Sequence, residues 1–224
     1  MRTSIKGTVF SAALSVLCVL MAGCSSGGGG GSASDSSKKA VSSLKGTREQ
    51  LVKAKAEVRQ ANAALDKLAA GGNVEQSYKA YTKEVADIKA AGESARARGK
   101  DMSARGREYI ANWEKETALI TNPDLKAGAA ARRATVKENY DKIATAATSA
   151  GDAYRPYLQG LQDIQQALAQ DLTPGGVEAA KTAMAKTKED GETVMQRLDA
   201  LVAELDSVSK NVPPPTAAGQ AVAK

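Results

Sequence analysis

No histidine occurs among the 224 residues of this chain, aromatic residues make up only 4% of it with one Trp and one Phe, and there are only two cysteines and six prolines. Each scarcity excludes something. Without His there is no Ser-His-Asp or Cys-His triad, no helix-borne zinc protease motif and no Glu-x-x-His pair of a di-iron bundle. Few aromatic and β-branched residues disfavour an all-β or doubly wound fold. So few prolines leave room for long unbroken helices. What is abundant agrees with this, because alanine, lysine, glutamine and glutamate at high density favour helix. The fold class expected is all-α.

The amino end speaks to compartment. Arg2 and Lys6 precede an apolar run, Thr8 to Leu20, of a length suited to a signal peptide and too short to span a membrane. Met21-Ala22-Gly23-Cys24 follows, with small residues at the two positions before the cysteine, as the narrow active site of lipoprotein signal peptidase requires. Residues 1–23 are therefore expected to be removed, leaving Cys24 acylated at sulfur and nitrogen as the first residue; the competing reading is a soluble secreted protein. Cys18, preceded by Leu17 within the apolar run, leaves with the signal peptide. No thiol then remains for a disulfide, so stability must come from packing. The expected location is the bacterial cell envelope, lipid-anchored. Ser25 and Ser26 in place of Asp after Cys24 point to the outer membrane, facing the periplasm.

Residues 24–37 read as a lipidated Gly/Ser tether with an r.m.s. reach of about 20 Å, 38–210 as a helical bundle, and 211–224, opened by Val212-Pro213-Pro214-Pro215, as a disordered Pro/Ala-rich tail.

Between the tails the apolar residues recur every seven positions. Leu44, Leu51, Val58 and Leu65 run beside Thr47, Ala54, Ala61 and Leu68. Val74, Tyr81, Ile88, Ala95, Met102 and Tyr109 alternate with Tyr78, Val85, Gly92, Gly99, Gly106, Trp113 and Ile120. Val136, Ile143, Ala150, Tyr157 and Ile164 interleave with Tyr140, Ala147, Tyr154, Leu161 and Leu168. Val177, Met184, Leu198 and Leu205 interleave with Ala180, Thr187, Val194, Leu201 and Val208. Repeats of this length predict four helices packed knobs into holes. Gly71-Gly72-Asn73 ends the first, Asn122-Pro123-Asp124 separates the middle two, and Thr173 caps the fourth with Pro174 in its first turn. Short connections make neighbours antiparallel. The architecture expected is an elongated antiparallel four-helix bundle whose middle helices, about 70 Å against about 50 Å for the outer pair, form a protruding hairpin tip carrying Tyr109, Trp113, Arg132 and Arg133.

The stretch from about Tyr78 to Val208 resembles a family of small bacterial helical lipoproteins known as domain of unknown function 2959. The residues that carry the resemblance are Trp113-Glu114-Lys115-Glu116, Asn122, Leu125, Arg132, Arg133, Tyr140, Pro156-Tyr157-Leu158 and Asp171-Leu172-Thr173. It implies a fold and a location, and no activity.

Three constellations stand out. Gly92, Gly99 and Gly106 share one heptad position, at roughly 1 kcal/mol each against alanine; they either make room for Tyr140, Tyr154 and Tyr157 or form a hinge opposite Pro156. Arg96, Arg98, Lys100, Arg105 and Arg107 are either solvated and salt-bridged along their own helix or contact anionic lipid phosphate. Trp113 near Arg132 or Arg133 is either a cation–π contact or, with Tyr109, a docking face for a partner. Carboxylates fall on outward faces, and no phosphate loop, metal cluster or catalytic pair stands out, so neither cofactor nor metal is expected and the chain reads as no enzyme. The function expected is a membrane-tethered structural or interaction module of the envelope. Its partner would be an envelope protein, peptidoglycan or lipid. Nucleic acid is disfavoured for an exported chain without aromatic interleaving. The alternative is an enzyme or a small-molecule or lipid carrier using the bundle interior, and the oligomeric state is open.

Overall fold

In the computed structural model, residues 33–211 are described; the signal segment, Cys24 and the tail from 212 onward lie outside them. Four helices account for the described chain: α1 Ala33–Ala69, α2 Val74–Ala118, α3 Pro123–Gln170 and α4 Pro174–Asn211. α1 packs on α2, α2 on α3, α3 on α4 and α4 back on α1, closing an up-down-up-down ring.

The turns have local causes. Gly71 and Gly72 both take left-handed backbone (φ 80° and 84°), where a side chain would be strained, and so end α1. The Asn73 side chain accepts a hydrogen bond from the Gln76 N–H, and the Asn122 side chain accepts from Asp124 and Leu125, satisfying first-turn donors of α2 and α3. Thr173 caps α4 as its position ahead of Pro174 suggests, accepting from the Gly176 N–H while donating to Asp171 Oδ1. The Thr173 hydroxyl and the Thr173 backbone N–H both donate to Asp171 Oδ1 and hold its carboxyl below its ordinary range.

The seam residues form the core. Leu44, Leu65, Leu68, Ile88, Ile143, Leu161, Leu168 and Leu205 are all fully buried, each contributing about 1.5–3 kcal/mol. Tyrosines are the largest knobs, and the hydroxyls of Tyr78, Tyr81, Tyr154 and Tyr157 reach helix carbonyls that retain a free lone pair. Tyr78 donates to the Gln165 carbonyl and Tyr81 to Leu161, while Tyr154 donates back from α3 to Ile88 on α2. These reciprocal bonds fix the register between the two long helices.

One node ties three helices. Tyr157, fully buried, donates to Asn62 Oδ1 at 3.0 Å and approaches the Val58 carbonyl on α1, while Asn62 Nδ2 donates to the Lys188 carbonyl on α4. A Cβ at Gly191 would overlap Asn62 and the Tyr157 ring, so only glycine lets α4 come this close. Along the α1–α4 edge, Arg48 pairs with Asp206, Lys55 with Asp199 and Lys188 with Asp66. Such exposed pairs are worth about 0–1 kcal/mol each.

The glycine row resolves into two kinds of position. A Cβ at Gly92 would overlap the Tyr154 ring and one at Gly106 the Tyr140 ring, whereas at Gly99 nothing lies within 4 Å. Gly92 and Gly106 therefore make room for tyrosine, and α2 runs unbroken past all three, as α3 does through Pro156. Opposite effects are expected: Gly99→Ala should raise the unfolding free energy by up to about 1 kcal/mol through helix propensity, and Gly106→Ala should lower it by about 1–2 kcal/mol through overpacking. Urea denaturation of both variants checks this, and a stabilising Gly106→Ala would show that Tyr140 moves aside freely.

Two boundaries differ from the sequence reading. α1 begins at Ala33, inside the expected 24–37 tether, with Ser36 and Ser37 buried at 2% and 4% exposure. α2 stops at Ala118, so Ile120 continues the seven-residue period but lies past the helix end.

Candidate functional site

The hairpin tip is built by the last turns of α2 and the first turns of α3. The extra turn of α1 changes what the tip contains. Tyr109 is only 4% exposed, and a hydrogen bond joins its phenol to the Ser37 side chain. The expectation that Tyr109 belongs to an exposed docking face is therefore corrected: it is buried, with its phenol on Ser37 of α1. Trp113 is half-buried against the same cluster, its ring centroid 5.5 Å from that of Tyr109. Arg133 turns to Glu114, with Nη2 at 3.3 Å from Oε1, and Arg132 is exposed. Trp113 and Arg132 are thus the accessible members of the expected set, with Arg133 held beside them.

Beyond Trp113 the hairpin ends in apolar side chains. Leu119 is 81% exposed and Leu125 65% exposed, one on each side of the Asn122 turn. Leu119 lies just past α2, where its backbone N–H donates to the Glu116 carbonyl and that of Ile120 to Thr117. Leu125 appears in the sequence reading only as a family-like residue, and Leu119 not at all.

The five cations of α2 do not form one patch. Successive helical residues turn by about 100°, so Arg98 and Arg105 share one face while Lys100 and Arg107 lie almost opposite. Arg105 pairs with Asp101 and Glu108, and Arg107 donates to Ser103 Oγ. Arg96, Arg98 and Lys100 are exposed.

A carboxylate cluster escaped the sequence reading. Glu57 on α1 and Glu84 and Asp87 on α2 place carboxylate oxygens within 4.8 Å of one another, all three side chains half-buried. Glu84 Oε2 is buried without a hydrogen-bond partner. Lys83 supplies positive charge there, pairing with Asp87 and lying 3.7 Å from Glu84 Oε1, and the hydrogen bond to Asp87 raises its own pKa. The signal was weak: Glu84 flanks the seam residue Val85, a position that is as often solvated as not.

The tyrosine hydroxyls complete the titratable inventory of the interior. Burial pushes Tyr140 and Tyr154 up to about 12, and Tyr81 and Tyr157 higher still. At neutral pH all four stay protonated: Tyr81, Tyr154 and Tyr157 donate hydrogen bonds, whereas the buried Tyr140 hydroxyl has no partner.

The described surface has depressions between α3 and α4, lined by residues including Thr145, Ser149, Asp152, Thr193 and Arg197, and these are open grooves. No helix among the described residues is long and apolar enough to cross a membrane.

The model of a family described as "Protein of unknown function (DUF2959)" matches residues 34–212. The chain belongs to the DUF2959 family. The match covers nearly all of the described bundle and bears out the family resemblance of the sequence. No curated protein and no solved structure matches this DUF2959 chain. Fold and family membership are therefore established together, and the family brings no activity with it.

Proposed function

We propose that the protein is a lipid-anchored structural or interaction module of the bacterial envelope, held at the periplasmic face of the outer membrane by Cys24 and presenting a rigid helical rod to an envelope protein, peptidoglycan or lipid. The observation that carries this reading is the run Met21-Ala22-Gly23-Cys24, which follows an apolar segment and sits only a short glycine-rich stretch before the first turn of α1. The bundle supports the same reading. Its interior is occupied by interlocking aliphatic and tyrosine side chains, and the grooves between α3 and α4 are open. Such a body suits presentation of an outer surface better than enclosure of a substrate.

The test is metabolic labelling with a fatty-acid probe. The wild-type chain is expected to take up label and to fractionate with membranes, and Cys24→Ser to lose both, accumulating as uncleaved precursor. Label persisting in the Cys24→Ser variant would overturn the anchor. Crosslinking in cells from a photoreactive group at Arg132 then identifies what the exposed side of the hairpin meets.

A further inference from the structure

Among the described residues three large hydrophobic side chains stand exposed, and two of them, Leu119 and Leu125, share the α2–α3 turn. The turn itself needs neither. Leu119 closes α2 through its backbone N–H, and Leu125 donates its backbone N–H to the Asn122 side chain. Any non-proline residue makes those bonds, so two apolar side chains are left without a structural duty on a hairpin end that α1 does not reach.

The chain ahead of the described residues indicates what covers them. The Ser37 to Tyr109 hydrogen bond sets the level of α1 against α2. One further turn brings Ala33 to about the level of Trp113, so the leucine turn overhangs the start of α1 by about 10 Å. For its length and glycine content alone, the stretch from Cys24 to Ala33 would span about 15–18 Å. Reach and overhang are of the same order, and both lie at the same end of the bundle. A lipid on Cys24 therefore brings the Leu119/Leu125 turn, and not the Gly71–Asn73 end, against the bilayer. Lys115 lies one helical turn before Leu119 and Lys126, which donates to the Ala118 carbonyl, follows Leu125, with Glu116 and Asp124 interleaved and Glu114 paired with Arg133. Cations next to apolar side chains suit the headgroup boundary.

We propose that the Leu119/Leu125 turn is a contact site for the phospholipid bilayer that holds the Cys24 lipid, so that the rod stands on its hairpin end. This rests on the lipid-anchored reading above. Two leucines are a weak interfacial anchor alone, but the tether makes the contact intramolecular and raises its effective concentration.

Acylated Cys24 cannot be alkylated, so a single introduced cysteine can carry an environment-sensitive fluorophore. The full-length lipoprotein bearing Leu125→Cys, or Glu75→Cys at the opposite end, is reconstituted into phosphatidylethanolamine–phosphatidylglycerol vesicles, with mass spectrometry reporting acylation of Cys24. The expected result is a blue shift and quenching by brominated acyl chains for the probe at 125, with neither at 75, and loss of both when Leu119→Asp is added. With Cys24 acylated, a probe at 125 that stays in water overturns the bilayer contact and leaves the anchor standing. A probe at 125 that responds only when envelope proteins are added overturns it in favour of a protein partner. An unacylated Cys24 ends the anchor and, with it, this inference.

Discussion

Tyr157→Ala is expected to lower the unfolding free energy by about 3–5 kcal/mol, the largest loss of any single substitution considered for this chain. Three effects combine. The ring is fully buried, so its removal leaves a cavity that helices already in contact cannot close. The hydroxyl also orients Asn62, and Asn62 in turn reaches the Lys188 carbonyl, so a buried amide on α1 loses its partner from α3. Gly191 presses against the same ring, and α4 loses that contact too. Tyr157→Phe keeps the volume and should cost only about 1–2 kcal/mol for the unsatisfied Asn62 oxygen. Chemical denaturation of the two variants decides the matter: an alanine variant within about 1 kcal/mol of wild type would mean that the node does not join the three helices.

Alkaline pH is expected to dismantle the bundle over a defined range. An exposed tyrosine ionises near its ordinary value of 10, while burial holds Tyr140 and Tyr154 to about 12 and Tyr81 and Tyr157 above that. The folded chain thus keeps protons that the unfolded chain releases, so the stabilisation is complete below about pH 10 and is lost as pH rises through 12. Allowing for screening at the partly exposed rings, Tyr140 and Tyr154 each contribute about 1–2 kcal/mol to that loss. The ion pairs that raise Lys83, Lys142 and Lys188 act in the same direction. Tyrosinate absorbance recorded with helical ellipticity reports both events, and the buried phenols should ionise only as the helices melt. Ionisation of all the tyrosines near pH 10 with the helix content unchanged would contradict the burial of these phenols.

The seven-residue period made the bundle legible because it states which face of each helix is turned inward. Leu51, Val85, Ile143 and Leu201 are buried where that face predicts. The period cannot state whether a neighbour reaches a given level along the axis. Ile120 keeps the rhythm with no helix left to continue it, and Tyr109 is buried where Ser37 of α1 hydrogen-bonds its phenol, a small polar residue that reads as tether. Asn62 was illegible for a related reason: one position off the seam, a polar residue reads as solvated until a tyrosine from another helix is placed over it. Gly191 left a trace, as the missing member between Met184 and Leu198 in the α4 series, but a gap does not name the ring that fills it. Of the candidate site, the sequence placed Trp113, Arg132 and Arg133 on the hairpin end, where Arg133 pairs with Glu114. The exposed leucines were not legible, since exposure depends on where the neighbouring helices end.

The even number of antiparallel helices has a practical consequence for anyone attaching a reporter. α4 finishes at Asn211 on the side of the bundle where α1 starts, so a fluorescent domain or affinity tag joined after the last helix reports on the end that holds Ala33. Distances measured from it describe that end alone. To follow the opposite end, about 55 Å away along α4, the probe has to interrupt the chain, and Gly71–Gly72 is the place to cut. Both glycines have open space around their Cα atoms, and the helices on either side are held by their own caps and seams.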